Sequence, residues 1–236
     1  MVPIVIYDNQ SFDDNSFKDY LLKICQTHKD QQRALAFAFI VYDFDDYTIT
    51  QILKDKNYWT TLDKLSGQYL SVFYVNSKDE HYKRRQQEIY LEEQNRQAEN
   101  ARKGHISFFV PLTLKATPLD KTIALIKKDF DITDDIKHPL VIFFQSDGEE
   151  ILDCFLVSLK QEKLEDAFLE LKSLIKNAVE GIKKVTSENF ENHQEIFDLL
   201  KSEVKSGKLY NFINKKIVSK LGIGTIISLV KTIAGH

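Results

Sequence analysis

A His-Pro pair followed by two apolar runs around a Ser-Asp-Gly turn constrains the fold of this chain more than any other stretch. Residues 130–174 read FDITDDIKHPLVIFFQSDGEEILDCFLVSLKQEKLEDAFLELKSL. Residues 140–144 and 151–159 have the apolar, β-branched and aromatic content of strands, and residues 146–149 supply a polar, glycine-containing turn that reverses the chain. From about residue 162 to 184 the period changes. Leu164, Ala167, Phe168, Leu171, Leu174, Ile175, Ala178 and Ile182 recur at spacings of three and four, which gives a helix one continuous apolar face. Such a helix packs on a sheet.

The rest of the chain supplies that sheet. Residues 2–7 predict a short buried strand, ended by Asp8 and Asn9. From Ser16 onward, Phe17, Tyr20, Leu21, Ile24 and Cys25 mark an amphipathic helix, in whose last turn His28 is expected to be solvated and favoured by the helix dipole. Residues 33–44, RALAFAFIVYDF, predict the central strand, covered on both faces. Ile49, Ile52, Leu53, Trp59, Leu62 and Leu65 predict one helix or two short ones stopped at Gly67, and residues 69–75 another strand. Residues 105–114 resume the sheet, with Pro111 favouring an edge or a strand end, and Thr117 with Pro118 opens a short helix through Ile123, Leu125, Ile126 and Phe130. Beyond Val185 no strand is expected. Phe190, Ile196, Phe197, Leu199, Leu200 and Val204 suggest one helix and residues 209–221 a second, with Gly222 and Gly224 breaking the chain before an apolar end too short to span a bilayer.

This order describes an α/β domain over residues 1–185, interrupted by a charged helical insertion at 78–104, and a helical C-terminal extension over 186–236. The insertion, rich in Glu, Gln, Arg and Lys, forms helix readily but has almost no face to bury, so it is expected to project from the domain as a solvated segment or as an arm for a partner or a second copy of the chain. Its basic residues alternate with Glu88, Glu92, Glu93 and Glu99, and the whole chain carries a formal charge of -3, so neither supplies a field for nucleic acid. Cys25 and Cys154 stand far apart in apolar contexts, which suggests buried free thiols, a reducing compartment and a cytoplasmic protein. The first residues lack the basic and long apolar regions of a signal peptide.

The succession of helix, X-Pro, apolar strand, polar turn, strand and C-terminal helix resembles the second half of the thioredoxin fold. The likeness covers about residues 117–184 and extends by element order back to Val2. In that family a cis-proline beside the active site precedes the strand; Pro139, preceded by His138, holds the matching position, and X-Pro is the bond at which a cis form is least costly. The family's redox centre is a Cys-x-x-Cys pair where a helix follows the central strand, and the helix N-terminus lowers the thiol pKa. Here that place reads YDFDDYTIT over residues 42–50, with no cysteine. The resemblance therefore implies a redox-inactive member, a non-enzymatic protein-interaction or adaptor module without cofactor, partnered by another protein or by itself. Its expected contacts are Asp43, Asp45, Asp46 and Tyr47 with His138 and Pro139, at the strand ends where ligands of open α/β sheets gather.

Two other readings stand beside it. Asp43 and Asp45 have the spacing of haloacid dehalogenase-like phosphatases, to whose Asp-x-Asp motif FIVYDFDDYT is similar. A magnesium-dependent phosphohydrolase would use one carboxylate as nucleophile and the other as acid/base. The expected small residue and the downstream Gly-Asp metal motif are missing, and acids at a strand end serve equally as solvating and capping groups. Residues 209–235, apolar with Lys215, Lys216 and Lys220, could instead associate with a membrane surface. His28, His81, His105, His138, His193 and His236 have no metal-ligand spacing, and no P-loop, Gly-x-Ser-x-Gly or GxGxxG motif occurs.

Overall fold

Residues 36–41, AFAFIV, are buried without exception, and a strand so placed needs a neighbour on each edge and a helical layer on each face. Both are present in the computed structural model, which describes residues 1–6, 14–42, 47–77, 118–129, 139–147, 149–159, 163–185, 192–206, 211–213, 221–222 and 224–234. The main strands are β1 (Val2–Ile6), β2 (Ala36–Val41), β3 (Ser71–Ser77), β4 (Leu140–Ser146) and β5 (Glu150–Ser158). Two short strands, β6 (Asn211–Ile213) and β7 (Leu221–Gly222), follow late in the chain. They form one mixed sheet in the order β1-β3-β2-β4-β5-β6, with β7 also paired to β5. β1, β3 and β2 are parallel, whereas β4 is antiparallel to β2 and β5 to β4. The helices are α1 (Asp14–Asp30), α2 (Tyr47–Lys54), α3 (Lys56–Ser66), α4 (Pro118–Asp129), α5 (Leu164–Lys183), α6 (His193–Ser206) and α7 (Gly224–Ala234). The protein is an α/β fold whose middle strand is β2, as the apolar run of residues 33–44 predicts.

Side-chain alternation along the strands splits the core in two. Phe37, Phe39 and Val41 join Phe73, Val75, Leu140, Ile142 and Phe144 under α1, α4 and α7. Ala36, Ala38, Ile40 and Tyr42 join Val72, Tyr74, Val141, Phe143, Phe155 and Val157 under α2, α3, α5 and α6. On β5 the alternation is reset once. Gln145 pairs with Asp153 but Ser146 with Ile151, so Leu152 is an extra residue in the ladder. That bulge puts Ile151 on the same face as Cys154 and leaves Leu152 among the few exposed large apolar side chains.

Local chemistry sets the helix boundaries that bear on the site. The apolar positions from Ile49 to Leu65 resolve into two helices because Asp55 leaves helical geometry (φ -69, ψ 122) and its carboxylate accepts the N–H groups of Asn57 and Tyr58. A cap of this kind is worth about 1 kcal/mol. Gly67, at φ +51, ends α3 and donates its N–H to the Asp63 carbonyl, a left-handed step that a side chain would strain. Gly181 serves packing instead: a Cβ there would stand 2.9 Å from the Leu200 Cα, so α5 and α6 can cross this closely only at glycine.

Two expectations need correction. His28 is buried, not solvated, because the chain folds back beyond α1 and lays Ala34 and Phe37 over its ring. Strands do occur beyond Val185: Asn211–Ile213 and Leu221–Gly222 pair antiparallel with β5, in a region expected to be a second helix. An edge strand leaves a row of unpaired backbone groups, and short segments of modest apolar content suffice to cover it. The C-terminal helices contribute to the same core. α6 packs on α5, and α7 lies against β3, α1 and α4, with Ile226, Ile227, Leu229, Val230 and Ile233 buried in the core under those helices. Among the described residues no helix is long and apolar enough to cross a membrane. The charged insertion at 78–104 and the strand expected at 105–114 lie outside the described residues.

Candidate functional site

The sheet register assembles the candidate site. Val41, the last residue of β2, lies opposite Leu140, the first of β4. The residues just beyond them, Tyr42 and Pro139, therefore come together at one end of the sheet. β1 and β3 are parallel to β2 and finish at the same end, and α2 starts at Tyr47. Tyr42, the last described residue before α2, thus lies beside the proline. Pro139 is buried, and its carbonyl accepts the Leu159 N–H at 2.8 Å, which ties the start of β4 to the end of β5. Of the six residues expected to make contacts, Pro139 and the backbone of Tyr47 are described; Asp43, Asp45, Asp46 and His138 lie outside the described residues.

Tyr42, which sequence reasoning did not single out, anchors this end. Its hydroxyl donates to the Val75 carbonyl on β3. Burial pushes its pKa far up, and the neighbouring Tyr74 adds to that. A phenol so held is a neutral donor at any pH near 7 and cannot serve as a base. Tyr74 in turn accepts the Trp59 indole N–H at 2.8 Å, and burial raises its pKa as well. The signal for Tyr42 was present in the sequence: an aromatic hydroxyl closing a fully apolar strand has to find a hydrogen-bond partner once buried.

The two thiols lie in the other core layer. Cys25 on α1 donates weakly to the Ser146 carbonyl at 3.7 Å, at the far end of β4 from Pro139. Burial pushes Cys25 up to about 12 and Cys154 well above the ordinary thiol range. Because the thiolate is the nucleophile, neither cysteine is primed for exchange or attack. Both are free and buried, as expected. Among the described residues no three of His, Cys, Asp and Glu are grouped so as to hold a metal ion.

Among the described residues, this end of the sheet offers a buried proline with its carbonyl engaged, neutral aromatic hydroxyls, and strand termini fixed to within hydrogen-bonding tolerance. Compared with known proteins, the chain matches no family model, no curated protein and no solved structure.

Proposed function

We propose that this chain is a redox-inactive, thioredoxin-like protein-interaction module that meets its partner through the segment between β2 and α2, residues 43–47, together with His138 and Pro139. The observation that carries the reading is the pairing of Val41 with Leu140, which brings Tyr42, the residue before that segment, opposite Pro139. In the resembled family the proline and the cysteine pair share that neighbourhood; here the sequence supplies Asp43, Asp45 and Asp46 instead. The strand order β1-β3-β2-β4-β5, with three parallel strands followed by two antiparallel ones, supports the same reading. So does the distribution of α1 and α4 on one face and α2 and α5 on the other. Three carboxylates within four residues of sequence favour a basic partner surface by charge complementarity.

The membrane-surface reading has an observation against it, since the apolar residues of α7 that would enter lipid are already taken up by the core. No observation favours the phosphohydrolase reading.

Two measurements test the proposal. A dithiol-driven insulin reduction assay should show no acceleration by the protein; acceleration would overturn the redox-inactive half. A photo-reactive residue at Tyr47 and another at the exposed Lys176 on α5 should capture different partner sets from a lysate. Identical sets would remove this end of the sheet as the contact surface.

A further inference from the structure

The opposite end of the sheet holds a titratable ring at the point where three elements meet. α1 finishes in a turn in which Gln32 adopts φ +51, a left-handed conformation that is strained for a residue with a Cβ. Arg33 N–H donates to the His28 carbonyl at 2.8 Å and Gln32 N–H to the Lys29 carbonyl at 3.0 Å, the bond pair of a helix closed through a left-handed residue. The His28 side chain is folded beneath this turn and is 1% exposed. Its Nδ1 lies 2.8 Å from the Ala34 carbonyl and its Nε2 lies 3.1 Å from the Ser71 hydroxyl. A carbonyl can only accept, so the neutral ring carries its proton on Nδ1 and Nε2 accepts from Ser71. The Phe37 ring stands 5.2 Å away. One neutral imidazole thereby joins the end of α1, the approach to β2 and the first residue of β3.

We propose that His28 is an acid-sensitive latch, whose protonation at Nε2 opens the turn over residues 31–34 and frees the end of α1 from β2 and β3 while the rest of the sheet stays folded. The added proton would come from solvent and leave a full positive charge in a dry site. Burial resists it most; the Ala34 carbonyl favours it, and the nearby Arg33 guanidinium opposes it, so that the ring's pKa falls to about 4. On its own helix His28 is flanked by Lys29 and by Asp30, whose carboxylate accepts the Gln26 side-chain amide. β2 presents the Phe37 ring and β3 the Ser71 hydroxyl, neither of which supplies a compensating negative charge. The strained Gln32 step stores part of the drive to open.

The test uses the full chain and amide hydrogen exchange by NMR between pH 7 and pH 4, each rate divided by the unstructured-peptide rate at that pH. The open population at the Gln32 and Arg33 amides should rise by about 100-fold, as follows from an ordinary histidine value of 6.5 in the open state and a folded value near 4 that is only half titrated at the lower pH. At every pH it should exceed that of the Ile142 and Phe143 amides in β4. A flat profile at the turn, or turn and β4 amides opening to the same extent, would overturn the latch. The His28→Asn variant, which keeps a donor toward Ala34, should abolish the rise; persistence of the rise overturns the assignment to His28. Titration of the native ring itself gives an answer even if that variant folds poorly, since a midpoint at or above 6.5 rules the latch out.

Discussion

The two ends of the sheet are secured by the same device, and burial shifts the pKa of the group at each end in opposite directions. At the Pro139 end, the Tyr42 hydroxyl donates to the Val75 carbonyl; at the other, the His28 ring donates to the Ala34 carbonyl. Both side chains are buried, and each reaches a distant backbone oxygen, Val75 on β3 for Tyr42 and Ala34 on the approach to β2 for His28. Burial moves each pKa so as to keep the group neutral, which means upward for a phenol and downward for an imidazole. The phenol is thereby carried away from the range in which proteins work, while the imidazole's titration is spread between its unfolded and folded values, across weak acid. A fixed surface at one end and an acid-labile turn at the other follow from one physical rule applied to two residue types.

The largest effect on that contrast should come from removing the ring beneath His28. Phe37 is fully buried and packs against His28, Phe73 and Phe144. Phe37→Ala should destabilise the protein by about 3–5 kcal/mol in chemical denaturation, through lost burial and an unfilled cavity. It should also let water reach His28, so that the imidazole midpoint moves back toward 6.5. A loss of stability with no movement of the midpoint would show that Phe37 does not shield the ring, and the contrast between the ends would need another cause.

Next in size is the pH dependence of global stability. His28 binds a proton more readily unfolded than folded, so between pH 6.5 and pH 4 the unfolded state carries more protons and stability rises with pH. The contribution is complete above pH 6.5 and is lost as pH falls through the folded value near 4, amounting to about 3 kcal/mol. The difference between the native chain and His28→Asn, followed by urea denaturation across that range, isolates it from other titrating groups. A difference that does not change with pH would break the comparison at its acid-labile end.

How much of this was legible in the sequence depends on whether the signal was local. The period of Leu164 to Ile182, the stop at Gly67 and the unbroken burial of β2 are written in consecutive residues, and each reappears in the structure. The strands of residues 211–213 and 221–222 were not legible. Three- and two-residue segments carry too little period to identify, and their reason for being strands is the open edge of β5, more than fifty residues earlier in the chain. His28 was misjudged for the same reason, since its position in the last turn of a helix says solvent and only the returning chain says core. The meeting of Tyr42 with Pro139 was half legible: the proline and the end of the apolar run were visible separately, and the register of β2 on β4 brings Tyr42 opposite Pro139.

The smallest predicted effect is the sharpest test of the pH-insensitive end. Tyr42→Phe keeps the ring and deletes one hydrogen bond to the Val75 carbonyl, a change worth about 1 kcal/mol when the acceptor is left buried. Because the folded-state pKa of Tyr42 lies above the ordinary value of 10, this group adds stability that is fully present below pH 10 and declines only as pH rises beyond it. The stability difference between native chain and Tyr42→Phe should therefore be constant from pH 4 to pH 9, over the same interval in which the His28→Asn difference changes most. A Tyr42→Phe difference that varied within that interval would mean that the Pro139 end also contains a group titrating near neutrality and coupled to Tyr42. Asp43, Asp45, Asp46 and His138 would then be the first positions to substitute, and a rigid, pH-independent contact surface would no longer describe that end of the sheet.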